Sequence, residues 1–141
     1  MRNFSTEERA VRAYALEEVK KVLSKRSYLN SANKRQEELD TLWVKEAPNN
    51  DTASYGRNWG YYVGMDNIKV YYVDKNPFGE AGSMLCHPFN TYKIHIAADG
   101  KSAQVVYYST GYETREINGE LVCYWDNARC ACDLVLEADG W

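Results

Sequence analysis

The side chains of this 141-residue chain with the clearest capacity for proton transfer are its two histidines. An imidazole titrates near neutral pH, so it can take a proton from carbon or give one to a leaving hydroxyl group. His87 stands before Pro88 at the expected entrance of a strand, whereas His95 falls on a polar face of the predicted sheet. His87 is therefore the first catalytic candidate, and the alternative is a histidine that only hydrogen-bonds the backbone.

The aromatic side chains indicate a second possible function of this chain, which is to bind a planar apolar ligand by stacking. The chain contains 12 tyrosines, and a glycine-rich stretch at residues 55–62 holds Tyr55, Trp59, Tyr61 and Tyr62. We expect Tyr55 and Trp59 to contact such a ligand; the alternative is that this cluster packs as core or lid. No glycine-rich phosphate loop, Ser-His-Asp arrangement or nucleotide fingerprint occurs in the sequence, so no cofactor is expected.

The overall charge argues against polyanionic partners. The formal net charge is −3 with acidic and basic residues interspersed, so we expect no binding to nucleic acid or to a membrane. The cysteines at positions 86, 123, 130 and 132 lack zinc-site spacings, so no metal site is expected. The first ten residues do not resemble a signal peptide and no apolar run approaches about 20 residues, which predicts a cytoplasmic protein with reduced thiols.

Three helices are predicted in the first half of the chain. Ser5 and Glu8 form a capping-box pattern, and apolar residues then recur at spacings of three and four, which predicts a helix to about Arg26. A second helix is expected over residues 35–44, and a third over residues 65–76 with Asp66 as its cap. The segment APNNDTAS at residues 47–54 is typical of a loop.

The second half predicts an antiparallel meander. Asp-Gly and Asn-Gly pairs favour two-residue hairpin turns, and they occur at residues 99–100, 118–119 and 139–140. The first two turns fix a register that places one set of apolar residues on a single face, against which the helices are expected to pack. This predicted apolar face consists of Tyr92, Ile94, Ile96, Val105, Tyr107, Cys130, Cys132 and Leu134.

Two alternative sets of mainly polar residues could line the helix-facing side of the sheet, depending on the register. Pro88 is predicted to lie opposite Gly111, and such residues often mark a bulge that redirects side chains. If a bulge interrupts the strand, the inward set is His87, Tyr112 and Trp125. If alternation is unbroken, the inward set is Asn90, Ser109 and Asp126.

Two segments resemble a known family. MLCHPFNTYKIHIAADGKSAQVVYYSTGYET (residues 84–114) resembles the part of SnoaL-like proteins in which a histidine-bearing strand leads through a DGK turn to a Ser-x-Gly-Tyr-Glu stretch. YWDNARCACDLVLEADGW (residues 124–141) is similar to their next strand. The resemblance implies the nuclear transport factor 2-like cone, an α+β fold in which three N-terminal helices pack on a curved antiparallel meander sheet, here as one domain over residues 1–141.

The resemblance also implies roles for particular residues. His87 matches the histidine that acts as acid and base in related dehydratases, and Tyr28 lies within a residue of a tyrosine that assists it. The early aspartate of those enzymes has no counterpart, since Ala32 and Asn33 occupy its place. The cone encloses a pocket between sheet and helices, where Tyr107 and the inward polar set would contact a small apolar or aromatic ligand.

Two functions remain open at this point. One is a cofactor-independent lyase or isomerase, of dehydratase or isomerase type, in which His87 moves a proton on a small apolar hydroxy- or keto-compound and Tyr28 steadies the intermediate. The other is a non-catalytic ligand-binding or dimeric interaction module, and a homodimer is expected. Family members continue past the last Asp-Gly-Trp into a final strand that is missing here, so we expect a truncated product or a partner that supplies the strand.

Overall fold

The computed structural model describes residues 4–58, 60–75 and 83–141 of a mixed α+β protein. The helices are α1 (Thr6–Ser31), α2 (Arg35–Leu42), α3 (Asn49–Thr52) and α4 (Met65–Lys69), and α4 continues as a π-helical turn over Val70–Asp74. A small antiparallel hairpin consists of β1 (Ser54–Arg57) and β2 (Gly60–Val63). The larger antiparallel sheet consists of β3 (Leu85–Cys86), β4 (Asn90–Ile96), β5 (Ser102–Ile117) and β6 (Glu120–Val135).

Helix α1 begins where the sequence predicts. The Ser5 hydroxyl accepts a hydrogen bond from the Glu8 amide (3.1 Å), and the Glu8 carboxylate accepts one from the Ser5 amide (2.7 Å). Both halves of the predicted capping box are therefore confirmed.

The predicted end of α1 at Arg26 is wrong, because the helix continues to Ser31. Its last turns are polar, which suggested a break, but other elements bind these polar groups. The Asn30 amide donates to the Tyr72 hydroxyl, and the Ser31 hydroxyl accepts from the His87 amide. Long-range partners thus extend the helix beyond the point at which local propensity would end it.

The shorter helices differ from prediction at their ends. Helix α2 ends at Leu42 rather than Val44. Helix α4 begins at Met65 after Gly64, whose φ of 81° favours glycine, so the prediction of Asp66 as the cap is wrong. The segment predicted as a loop at residues 47–54 contains α3, and the unassigned stretch at residues 55–62 contributes to the β1–β2 hairpin.

The predicted hairpin registers of the larger sheet are confirmed near their turns. The pairing of β5 with β6 runs unbroken along both strands, and Ile96 of β4 pairs with Ala103 of β5. Asn118 and Gly119 have φ values of 55° and 84°, as a type I′ turn requires at both central residues. Local turn chemistry therefore sets the register of most of the sheet.

The predicted register fails toward the start of β4. It shifts between Asn90 and Lys93, and before this point β3 pairs Cys86 with Tyr112. The predicted alternation had placed His87 opposite Tyr112. Because a shift of one residue moves the preceding side chains to the other face, His87 lies on the helix-facing side and Tyr112 does not.

One position of the predicted apolar face changes for the same reason. Tyr92 lies within the shifted segment, so its predicted pairing with Tyr107 is wrong. Its side chain is about half exposed and its ring stacks on Phe89, with ring centroids 4.8 Å apart. The rest of the predicted face keeps its place against α1.

Two buried clusters form the core of the described residues. The first lies between α1 and the sheet and consists of Ala15, Val19, Leu23, Ile96, Ala103, Val105 and Tyr107. The second lies among α2, α4 and the π-helical turn and consists of Leu39, Ile68 and Tyr72. The apolar stripe of α1 therefore meets the apolar sheet face as predicted through Ala15, Val19 and Leu23. Val11 and Tyr14, which the same spacing placed in the stripe, are exposed.

The chain also turns at the third Asp-Gly pair, but one residue earlier than predicted: Ala138 and Asp139 are the central residues, and Glu137 bridges to Gly140. The Glu137 carboxylate accepts a hydrogen bond from the Lys45 amide (2.9 Å), and Trp141 packs against the α1–sheet cluster. These contacts join the C-terminal turn to the segment after α2. Within the described ranges, no helix has the length and apolar character needed to cross a membrane.

Candidate active site

The backbone of His87 is held by the last turns of α1. The Ser27 hydroxyl donates to the His87 carbonyl (2.7 Å), and the His87 amide donates to the Ser31 hydroxyl (3.0 Å). The two serines are one helical turn apart, so they face the same side of α1. This pair of hydrogen bonds fixes where the segment between β3 and β4 passes the helix.

A glycine on β5 allows this segment to approach the sheet. A Cβ atom at Gly111 would lie 1.8 Å from the Cys86 carbonyl oxygen and 3.1 Å from Pro88 Cδ. Any other residue at this position would push away the chain that carries His87. The Pro88–Gly111 pair that indicated a bulge in the sequence is therefore a point of close backbone approach.

The His87 imidazole lies between two carboxylates. Its Nδ1 is 3.1 Å from Asp126 Oδ2, and its Nε2 is 3.8 Å from Glu113 Oε2. The imidazole is 13% exposed. Arg115 Nη2 contacts Glu113 Oε1 at 2.5 Å, so the Glu113 charge is shared with a guanidinium. The geometry favours a neutral imidazole that donates its Nδ1 proton to Asp126 and keeps the Nε2 lone pair.

The surroundings of His87 favour its neutral form. Burial lowers the pKa of His87 below its ordinary value of 6.5. The carboxylates of Asp126 and Glu113 act in the opposite direction, and the guanidinium groups of Arg57 and Arg26 lower the pKa further. A neutral imidazole at neutral pH is the form that can accept a proton.

Arg26 joins the His87 region to the second buried cluster. Its Nη1 donates to the Tyr107 hydroxyl (3.0 Å), and its Nε lies 3.2 Å from Glu38 Oε1. Glu38 is fully buried and also accepts from the Tyr72 hydroxyl (2.9 Å) and from Trp43 Nε1 (3.3 Å). A buried charge paired and hydrogen-bonded in this way fixes α1 and α2 relative to the π-helical turn.

Tyr55, a predicted ligand contact, belongs to this second cluster. Its ring lies 5.2 Å from the Tyr72 ring and 6.1 Å from the Trp43 ring, both edge-on. Its hydroxyl accepts from Arg57 Nε (2.7 Å). Burial raises the pKa of Tyr55, and the nearby Arg57 opposes that shift.

The other predicted site residues divide by sheet face. Asp126 touches His87 and Tyr107 lies in the α1–sheet cluster, so the structure brings three of the predicted residues to one side. Trp125 is 83% exposed and packs edge-on against Tyr112 on the outward face. The inward set is therefore a mixture of the two alternatives, because the bulge moves His87 without moving the strands opposite.

Three further predicted residues lie away from the imidazole or outside the description. The Tyr28 side chain is 79% exposed and Asn90 is exposed on β4. Trp59 lies outside the residues that the structure describes. A largely solvated phenol has little capacity to stabilise a reacting intermediate, so we do not expect Tyr28 to have this role.

Sequence reasoning missed Glu113, Ser27 and Ser31. Glu113 lies two residues after Gly111 on β5, so the two share a face, and the correct position of the bulge would have placed it beside His87. The spacing of Ser27 and Ser31 was visible in the sequence, but nothing local shows that a helix uses two hydroxyls to bind a distant backbone.

In the described part of the chain, no group of three or more His, Cys, Asp or Glu side chains is arranged to hold a metal ion. Comparison of the sequence with protein-family models and with curated proteins gave no match.

Proposed function

We propose that this chain is a SnoaL-like protein with the nuclear transport factor 2-like fold, which binds a small, largely apolar hydroxy- or keto-compound and moves a proton on it through His87. The observation that carries the proposal is the pair formed by His87 Nδ1 and Asp126 Oδ2, 3.1 Å apart. A long N-terminal helix followed by an antiparallel meander supports the fold assignment.

The arrangement supports base catalysis by a neutral imidazole. Asp126 accepts the Nδ1 proton, so the Nε2 lone pair is the one that takes a proton from a carbon next to a carbonyl group. Electron density then moves to the carbonyl oxygen as an enolate, and Asp126 stabilises the imidazolium that has formed. If the substrate has a β,γ double bond, the proton returns to the γ-carbon and the double bond moves into conjugation, which is an isomerisation. If it has a hydroxyl group on the β-carbon, the enolate expels that group, which takes the proton and leaves as water, and this is a dehydration. No electron acceptor is needed in either case.

The neighbouring side chains support an apolar substrate. Phe89 contacts the buried Tyr107 ring edge-on, with centroids 4.9 Å apart. The Tyr107 hydroxyl accepts a hydrogen bond from Arg26, whose charge is paired with that of Glu38. Apolar walls with a few convergent polar groups are typical of small-molecule sites.

Deuterium exchange tests this function without knowledge of the natural substrate. The protein is incubated in D2O with 2-tetralone, 2-indanone or cyclohexanone, and loss of the α-proton signals is followed by NMR. We expect wild-type protein to accelerate exchange of at least one ketone, and His87→Gln to reduce that acceleration by about 10²- to 10⁴-fold.

Ser24→Ala is the matched control for this experiment. Ser24 is exposed on α1, the helix that holds His87. This variant should keep the wild-type exchange rate. Equal exchange in wild-type protein and His87→Gln, or no acceleration over buffer with any of the three ketones, would contradict the proposal.

A second candidate function is a dimeric interaction module, and the outward sheet face favours it. Trp125, Tyr108 and Val106 are all large apolar residues exposed on strands β5 and β6. An exposed apolar patch of this kind is typical of a contact surface. In this case sedimentation equilibrium would give a dimer that Trp125→Ser dissociates, and no ketone exchange would be found.

A further inference from the structure

A buried hydroxyl group without a hydrogen-bond partner lies on the same sheet face as His87. Ser109 on β5 is 5% exposed, and within the part of the chain that the structure describes its Oγ has no partner. A buried hydroxyl left unpaired costs free energy, since it gives up its hydrogen bonds to water. Such groups are rare in native structures and call for an explanation.

The position of Ser109 relates it to the candidate active site. It lies between Tyr107 and Gly111 on β5, where alternate residues are buried, so its side chain points to the helix-facing side. Gly111 pairs with Asp126, the residue that holds His87 Nδ1. Ser109 and Asp126 are therefore diagonal neighbours on one face, a relation that spans about 7–8 Å between backbones.

The neighbouring polar groups on this face are already paired. The Tyr107 hydroxyl accepts from Arg26, and the Asp126 carboxylate is directed at His87. Ser109 thus stands between two satisfied groups with its own hydrogen-bonding capacity unused.

We propose that the Ser109 hydroxyl binds an oxygen atom of the substrate while His87 acts on a nearby carbon. This inference rests on the proposed function and narrows it to compounds that carry a carbonyl or hydroxyl oxygen close to the reacting carbon. A serine hydroxyl can donate to a carbonyl or accept from a hydroxyl. It also donates more strongly as the carbonyl oxygen gains enolate charge.

The stability of the ligand-free protein provides the first half of the test. A polar group that serves a ligand rather than the fold lowers stability when the ligand is absent. Ser109→Ala is therefore expected to leave the urea midpoint unchanged or to raise it. Ser27→Ala removes a hydroxyl that is paired with the His87 carbonyl, so this matched control should lower the midpoint.

Binding of two related probes provides the second half. 2-Naphthol and naphthalene share one ring system and differ by a hydroxyl group, and both are followed by fluorescence titration. We expect Ser109→Ala to weaken 2-naphthol binding about 10-fold, the equivalent of roughly 1.4 kcal/mol, and to change naphthalene binding by less than about twofold.

A lower urea midpoint for Ser109→Ala would show that the hydroxyl has a structural partner, such as a buried water, and would overturn the inference. An equal loss for both probes, or none for 2-naphthol, would also overturn it and leave the role of His87 standing. If neither probe binds wild-type protein, the inference and the proposed ligand site fail together.

Discussion

At the scale of single residues, the chemistry of His87 depends on which groups surround it. Burial and two guanidinium groups oppose protonation, whereas Asp126 and Glu113 favour it. Glu113 is the more distant carboxylate and is bound by Arg115, which reduces its effect on the imidazole. The balance leaves a neutral base held in one tautomer by Asp126.

The lowered pKa of His87 predicts how stability depends on pH. The unfolded chain takes up a proton at this histidine near pH 6.5, and the folded protein takes it up only at lower pH. Above 6.5 the folded state keeps its full stability, and as pH falls from 6.5 through the lower folded-state pKa that stability is lost.

Urea denaturation at several pH values checks this expectation. The free energy of unfolding of wild-type protein, minus that of His87→Gln, should decline as the pH falls below 6.5 and should level off below the folded-state pKa of His87. The difference between the two free energies removes the contribution of the other titratable groups that both proteins share. A wild-type protein that gains stability over the variant as pH falls would indicate a raised pKa instead.

At the scale of elements, the close approach of the β3–β4 segment to β5 positions the site. The register shift between Asn90 and Lys93 turns His87 inward, and Gly111 provides the space for the chain to pass. Helix α1 then holds the His87 backbone from the other side through Ser27 and Ser31.

Gly111→Ala should therefore damage both stability and activity. The new Cβ atom would lie 1.8 Å from the Cys86 carbonyl oxygen, and its nearest neighbours are the Cys86 backbone and the Pro88 ring, neither of which is the end of a flexible side chain. We expect a loss of about 3 kcal/mol in the free energy of unfolding. Ketone exchange should also fall in any folded fraction, because His87 is displaced.

Gly56→Ala is the matched control for this variant. A Cβ atom at Gly56 on β1 meets nothing closer than 3.7 Å. Its free energy of unfolding should change by less than about 1 kcal/mol. If Gly111→Ala is as stable as this control, the close approach does not constrain the site.

Elements formed by local rules were predictable, and those fixed by distant contacts were not. The capping box at Ser5, the part of the α1 stripe from Ala15 to Leu23 and the turn at residues 118–119 depend on neighbours in sequence, and the structure has all three. The end of α1 at Ser31 depends on His87, which is far along the chain.

The same distinction applies to the candidate site. The sequence indicated a bulge and named His87 and Asp126, but it could not show that the shift lies between Asn90 and Lys93. It therefore placed Tyr112 beside His87, although a shift of one residue puts the two on opposite faces. The face on which a strand side chain lies can be predicted only where the register is known, because a bulge shifts the register and moves the side chains to the other face.

At the scale of the whole molecule, a buried polar network connects the helices to one another. Glu38 on α2 accepts from Arg26 on α1 and from Tyr72 in the π-helical turn, and Asn30 on α1 donates to Tyr72. Since these groups are buried, each depends on the others for its hydrogen bonds.

Tyr72→Phe should show the contribution of this network. The change keeps the ring but leaves the buried Glu38 and Asn30 without a shared partner, and we expect a loss of about 1–3 kcal/mol in the free energy of unfolding. Tyr28→Phe removes an exposed hydroxyl and is expected to stay within about 0.5 kcal/mol of wild-type protein. Equal urea midpoints for the two variants would mean that the network adds no stability.

The central claim is that His87 faces a small-molecule site between the sheet and the helices. It is tested most directly by NMR of the imidazole groups during a titration with 2-naphthol, with His95→Gln used to assign the two sets of signals. We predict that the His87 signals shift in a saturable way and that those of His95, exposed on the other face, do not. Saturable binding that leaves the His87 signals unchanged, or shifts only those of His95, would contradict the claim.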